Sequence, residues 1–131
     1  MPDVMGLVGE DLEPVRNGMV VGPEQLATEV GSRILQQGGN VVDAAVATGF
    51  ALAVTYPSAG NLGGGGFMLI HLAEGNRQVF IDYRETAPAA ASRDMFLLAD
   101  GKEDLQREYY SLQASGVPGT VAGLLHALET Y

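Results

Sequence analysis

The chain has 131 residues, enough for one small domain with its own core, and a hydrophobic content of 47% argues for a folded chain over a disordered one. Its net charge of −9 and only seven basic residues, scattered along the chain, leave no basic patch to neutralise nucleic-acid phosphates or to hold an acidic membrane surface. The absence of cysteine excludes disulfides, thiolate zinc sites and cysteine nucleophiles.

Residues 1–17 read as an extended, acidic lead-in without periodicity. Its opening MPDVMGLVGEDLEP has neither a basic region nor an apolar one, so it does not read as a signal peptide. Two origins fit that reading: a cytosolic protein, or a chain that starts after a removed signal. The apolar stretch Gly18 to Gly22 predicts a short strand, and Pro23 opens a helix at the position where its missing N–H costs nothing. Leu26, Val30 and Ile34 recur at helical spacing and predict one apolar stripe, ended by Gly38-Gly39. Asn40 is placed to cap a second helix, with Asp43 in its first turn near the positive end of the helix dipole.

That second helix, VVDAAVATGFALAVTY, is apolar on nearly every face and belongs packed on both sides. It also contains the longest apolar segment, which Asp43, Thr48 and Gly49 interrupt well short of the roughly 18 to 20 residues a membrane span needs. The runs Phe67 to His71 and Gln78 to Tyr83 predict a hairpin turning at Gly75-Asn76. TAPAAA is irregular, Ser92 caps a short helical turn through Met95 and Phe96, and Ala99 to Arg107 reads as a charged, exposed loop. GVPGT opens a last helix with the stripe Val121, Leu124, Leu125 and Leu128. A two-stranded ribbon with apolar helices cannot cover its own faces, so the expectation is a piece of a longer polypeptide.

Chemistry concentrates between these elements. Four consecutive glycines, Gly63 to Gly66, carry a large backbone-entropy cost and are expected where the main chain approaches something closely or takes up positive φ, close packing near the core being the favoured reading. The run lacks the Lys-Ser/Thr pair of a phosphate-binding loop, and a strand follows it in place of a helix, so nucleotide binding is disfavoured. Arg84, in DYRE at the hairpin exit, is expected to be buried and to meet an anion there. Its bland alternative is an internal ion pair with Asp82, on the same strand face, or with Glu85, which points away. His71 and His126 are isolated, without Glu or Cys at ligand spacing, so no metal is expected, and no cofactor is called for.

Taken together, GMVVGPEQLATEVG, ILQQGGNVVDAAVA, ALAVTYPSAGNLGGGGFM, IDYRETAP, RDMF and GVPGTVAGL, in that order, make the chain resemble the γ-glutamyltranspeptidase (glutathione hydrolase) family. The resemblance starts at Gly18, leaving residues 1–17 outside it, and identifies residues 18–131 as the N-terminal part of the large subunit. The fold class it implies is α+β, an N-terminal fragment of the four-layer αββα sandwich of N-terminal nucleophile hydrolases. It implies a precursor that cleaves itself to free a threonine, whose hydroxyl attacks with its own α-amine as base. None of Thr28, Thr48, Thr55, Thr86, Thr120 or Thr130 matches that position, so the resemblance puts the nucleophile outside this chain and leaves the fragment inactive alone.

The resemblance implies one site residue, Arg84, as the group that holds the α-carboxylate of the γ-glutamyl donor, with Asp82 and Glu85 as supports that orient it. Implied partners are glutathione or other γ-glutamyl compounds, the remainder of the large subunit and the small subunit, with no nucleic acid. It suggests a periplasmic or extracellular enzyme, although no signal peptide is visible in this chain. Two other readings stay open: a cephalosporin or glutaryl acylase of the same fold, and a non-catalytic small binding domain.

Overall fold

The computed structural model describes residues 18–131, so the expected lead-in over residues 1–17 lies outside the described residues. The elements are α1 (Gln25–Gln36), α2 (Val41–Thr55), β1 (Phe67–Leu72), β2 (Arg77–Asp82), α3 (Leu105–Tyr110) and α4 (Thr120–Thr130). β1 and β2 form an antiparallel hairpin in which Phe67 opposes Asp82 and Leu72 opposes Arg77. In the connecting turn Gly75 has φ of 72° and Asn76 has φ of 46°. Both are left-handed, the conformation that glycine and asparagine tolerate best.

Strand alternation divides the hairpin. Met68, Ile70, Leu72, Val79 and Ile81 face inward, where Ile70 joins Val42 and Val46 of α2 and Leu124 and Ala127 of α4 in the core. Phe67, Leu69 and Phe80 lie on the opposite, exposed face. α2 thus packs on α4 and the hairpin on one side and on α1 on the other, as an all-round apolar helix requires. Among the described residues, no helix is long and apolar enough to cross a membrane.

Asn40 caps α2 as expected and completes a capping box. Its Oδ1 accepts from the Val42 and Asp43 amides at 2.7 and 2.9 Å, and Asp43 Oδ2 accepts from the Asn40 amide at 2.8 Å. Asn40 Nδ2 also donates to the Tyr131 carbonyl at 3.1 Å, tying the start of α2 to the end of α4.

Several local expectations are corrected. Residues 18–22 form no strand, because no other segment among the described residues pairs with them, and Val21 is 81% exposed. α1 starts two residues after Pro23, because the extended Glu24 is the cap and its carboxylate accepts from the Leu26 and Ala27 amides at 3.1 and 3.0 Å. The short turn expected after Ser92 does form, the Ser92 carbonyl accepting from the Met95 amide at 3.3 Å. The expected loop holds from Ala99 to Asp104 and gives way to α3 at Leu105, because Asp104 caps it, its Oδ1 accepting from the Arg107 amide at 3.1 Å.

The predicted stripes hold only in part: Leu124 reaches the core and Val30 and Ile34 are half-buried, but small residues make the closest contacts. On α1 the buried positions are Ala27 and Gly31, and Leu26 is 59% exposed. On α4 they are Thr120, Gly123, Leu124 and Ala127, leaving Val121, Leu125 and Leu128 largely outside. The helices meet through small residues, which lets them approach more closely than leucines would. A Cβ on Gly31 would collide with the Thr48 hydroxyl and stand 3.1 Å from the Ala44 carbonyl oxygen.

The Glu24 cap yields a pH test. The neighbouring Thr55 hydroxyl, followed by the Leu26 and Ala27 amides, lowers its carboxyl from the ordinary 4.5. Since Thr55 Oγ1 also donates to the Ala51 carbonyl at 3.2 Å, the amide contacts are the ones that hold the cap. A depressed carboxyl adds stability that is fully present above its unfolded value and is lost as pH falls through the folded one. Within the longer polypeptide, hydrogen exchange at the Leu26 and Ala27 amides should therefore accelerate, beyond its intrinsic pH dependence, as pH drops below 4.5. Glu24→Gln should flatten that response.

Candidate functional site

The expected site residue Arg84 lies just past β2, where three separate motifs meet. The ladder continues one pair beyond the strands: Tyr83 N donates to Gly66 O at 3.0 Å, and Gly66 N to Tyr83 O at 3.4 Å. Beyond Arg84 the chain pairs with the GVPGT segment, Val117 N donating to Thr86 O at 2.8 Å and Thr86 N to Val117 O at 3.2 Å. The Gly64 carbonyl closes the triangle by accepting from the Gly119 and Thr120 amides at 2.9 and 3.0 Å, at the positive end of α4.

This frame leaves no room for side chains at its glycines. A Cβ on Gly65 would lie 2.6 Å from the Tyr83 carbonyl oxygen and 2.7 Å from Arg84 Cα. At Gly119 it would fall on the Tyr83 carbonyl, and at Gly123 on the Tyr83 side chain. The glycine run therefore serves close main-chain packing, as its composition implied. Tyr83 fills the resulting slot, and burial holds its phenol above the ordinary 10.0, so it stays neutral at physiological pH. Sequence reading singled out neither Tyr83 nor the pair Gly119 and Gly123, although two glycines four apart at a helix start signal close backbone approach.

Arg84 itself departs from expectation in being exposed, because the chain leaves the sheet there and its side chain extends along the outer face. Its guanidinium carbon stands 5.7 Å from the centroid of the Phe67 ring. Among the described residues the ion pairs are Arg93 with Asp94 and Lys102 with Asp100, so neither Asp82 nor Glu85 neutralises Arg84. Asp82 instead accepts from the Arg84 backbone amide through Oδ1 at 3.0 Å, fixing the main chain and leaving the guanidinium free.

Glu85 points the other way, against Gly116 and Gly64. It lines a cavity of about 260 Å³ with Asn61, Tyr83, Thr120 and Leu124, which Arg84 does not enter. Asp82 thus supports the backbone of Arg84, and neither Asp82 nor Glu85 forms an ion pair with its head group. Thr28, Thr48 and Thr55 each donate to a carbonyl of the preceding turn. Among the described residues no three His, Asp or Glu side chains gather as a metal site would require.

A family model described as Gamma-glutamyltranspeptidase matches residues 27–131. The glutathione hydrolase proenzyme of Escherichia coli K12 is 56% identical over 133 residues, covering 99% of this chain and 23% of the relative. Two solved structures superpose closely. The gamma-glutamyltranspeptidase from Pseudomonas nitroreducens complexed with L-DON has a TM-score of 0.83 and 47% identity, over 89% of this chain and 34% of its own. The Helicobacter pylori gamma-glutamyltranspeptidase has a TM-score of 0.86 and 45% identity, over 92% of this chain and 34% of its own. The chain therefore spans about a quarter of the curated relative and a third of each solved chain.

The frame predicts a contrast within one glycine run. In the full-length protein, Gly65→Ala should destabilise the fold by about 1–3 kcal/mol, since rigid backbone surrounds the new methyl group. Gly63→Ala, whose methyl would meet only Asn61 Oδ1 at 3.6 Å, should stay within about 0.5 kcal/mol of the parent. Chemical denaturation of the two variants decides it.

Proposed function

The chain belongs to the γ-glutamyltranspeptidase family and forms part of that family's N-terminal nucleophile hydrolase fold, and from this premise we propose that residues 18–131 are the N-terminal part of the large subunit of a γ-glutamyl-transferring glutathione hydrolase. The substrate is glutathione or another γ-glutamyl compound. A threonine supplied by polypeptide outside this chain attacks the γ-glutamyl amide carbonyl, its own α-amine taking the proton. The amine portion leaves, and water or an amine acceptor resolves the acyl-enzyme. Arg84 takes no part in bond making; it grips the donor's α-carboxylate and so fixes where the γ-carbonyl stands.

One observation carries this reading: Arg84 offers an exposed guanidinium, unpaired among the described residues, on a rigid backbone frame. An arginine kept for structure would be expected to pair with Asp82 two residues away, yet that carboxylate is bound to the backbone amide. A free planar fork suits a carboxylate from outside, which it can bind through two parallel hydrogen bonds.

The exposed apolar surface supports the reading of a partial domain. Leu69 and Phe80 on the sheet's outer face, and Val121, Leu125 and Leu128 on α4, lack covering layers within these residues. The remaining large-subunit residues and the small subunit would cover them. Expressed alone, the 131 residues should bind apolar dyes, release no p-nitroaniline from γ-glutamyl-p-nitroanilide and melt without a cooperative transition. A sharp two-state melt of a monomer would favour an independent binding domain instead.

In the intact enzyme, Arg84→Gln should lower kcat/KM for γ-glutamyl-p-nitroanilide roughly 10- to 150-fold, the equivalent of about 1.5–3 kcal/mol. Arg84→Lys should recover only part of the loss, because an ammonium cannot form the paired contact. An unchanged donor kcat/KM would remove the assigned role. Preference of the parent enzyme for a glutaryl-cephalosporin would reassign the substrate to the acylase class.

A further inference from the structure

The outer face of the hairpin holds an ordered row of side chains in place of a random apolar patch. Phe67 of β1 stands opposite Asp82 of β2, so the two diagonal positions on the same face are Phe80 and Arg84. Both are occupied by groups that stack on it. The Phe67 and Phe80 rings lie 5.6 Å apart with 24° between their planes, and the Arg84 guanidinium carbon lies 5.7 Å from the Phe67 centroid. The directly opposed Asp82 carboxylate is held by the Arg84 amide and does not compete for the guanidinium.

We propose that Phe67 is a positioning residue that, backed by Phe80, holds the Arg84 guanidinium in place for the donor carboxylate. An aromatic face attracts a cation without using any of its N–H donors. A carboxylate or amide partner would occupy those donors, whereas the ring restricts the long side chain and leaves its hydrogen-bonding edge for the ligand. The benefit is entropic: a guanidinium already confined loses less freedom when the donor binds. Asp82 fixes the backbone of Arg84 and Phe67 fixes its head group.

This rests on the assignment of Arg84 to the donor, so the test separates the two. In the intact enzyme, Phe67→Leu should raise the KM for γ-glutamyl-p-nitroanilide about two- to fivefold with kcat little changed, the scale of an exposed cation–aromatic contact. Phe67→Tyr keeps the ring face and should restore the parent KM. With 4-aminobutyryl-p-nitroanilide, which lacks the α-carboxylate, Phe67→Leu should match the parent. Added to Arg84→Gln, it should cause no further loss.

Independent, multiplicative losses in the double variant would overturn the proposal, as would an equal loss with the donor lacking the carboxylate, or a failure of Phe67→Tyr to restore binding. If Arg84→Gln itself leaves the donor KM unchanged, the donor assignment falls. If Arg84→Gln raises KM and Phe67→Leu does not, that assignment stands and only the platform falls.

Discussion

Main chain packed directly on main chain around Tyr83 is the contact on which the rest of this structure depends. The glycine run, the strand exit and the GVPGT turn are separated by tens of residues, yet the Gly64 carbonyl, the Gly66–Tyr83 pair and the Thr86–Val117 pair bind them into one frame. Backbone hydrogen bonds of this kind contribute modestly one by one, about 0.5–1.5 kcal/mol net, but leaving such buried groups unpaired costs more than forming them gains. The absent side chains at Gly65, Gly119 and Gly123 are what permit the approach. The same frame seats the first turn of α4 against the exit of β2.

A second use of small residues runs through the helices. Ala27 and Gly31 of α1, and Gly123 and Ala127 of α4, occupy the contacts that leucine-type residues were expected to fill. Spacing alone predicted Leu26, Val30 and Ile34, then Val121, Leu124, Leu125 and Leu128, because periodicity weights the large apolar residues most heavily. Of these, only Leu124 is fully buried. A helix with one side of alanine and glycine and another of leucine can serve two neighbours at different distances. The near side is filled here by α2 and the hairpin, with Leu124 joining the small residues there, while Leu26, Val121, Leu125 and Leu128 stay partly exposed.

Features whose signal is local were legible in the sequence. Asn40 and Asp43 spell out their capping box three residues apart, Gly75-Asn76 marks the turn, and alternation places Arg84 on the same strand face as Asp82. Features made by long-range contact were not. Nothing near Asp82 indicates that its carboxylate turns to the Arg84 amide and not to the guanidinium; that choice depends on how the chain leaves the sheet. The expected burial of Arg84 failed for the same reason. GVPGT read as a simple helix start because its partner, the Gly64 carbonyl, lies more than fifty residues earlier.

The two faces of the hairpin are coupled through register. Side chains alternate strictly, so a slip of β2 by one residue would carry Val79 and Ile81 to the outside and bring Phe80 and Arg84 against α2 and α4. An unpaired guanidinium pressed into that apolar layer would be severely penalised, and the apolar area now buried there would return to water. The inner core therefore does more than hold the hairpin to its helices. By fixing which residues face inward, it also decides that the arginine, its aromatic neighbour and the ring behind it stand in one row on the outer surface. Packing chemistry on one side of two short strands thus sets the recognition chemistry on the other.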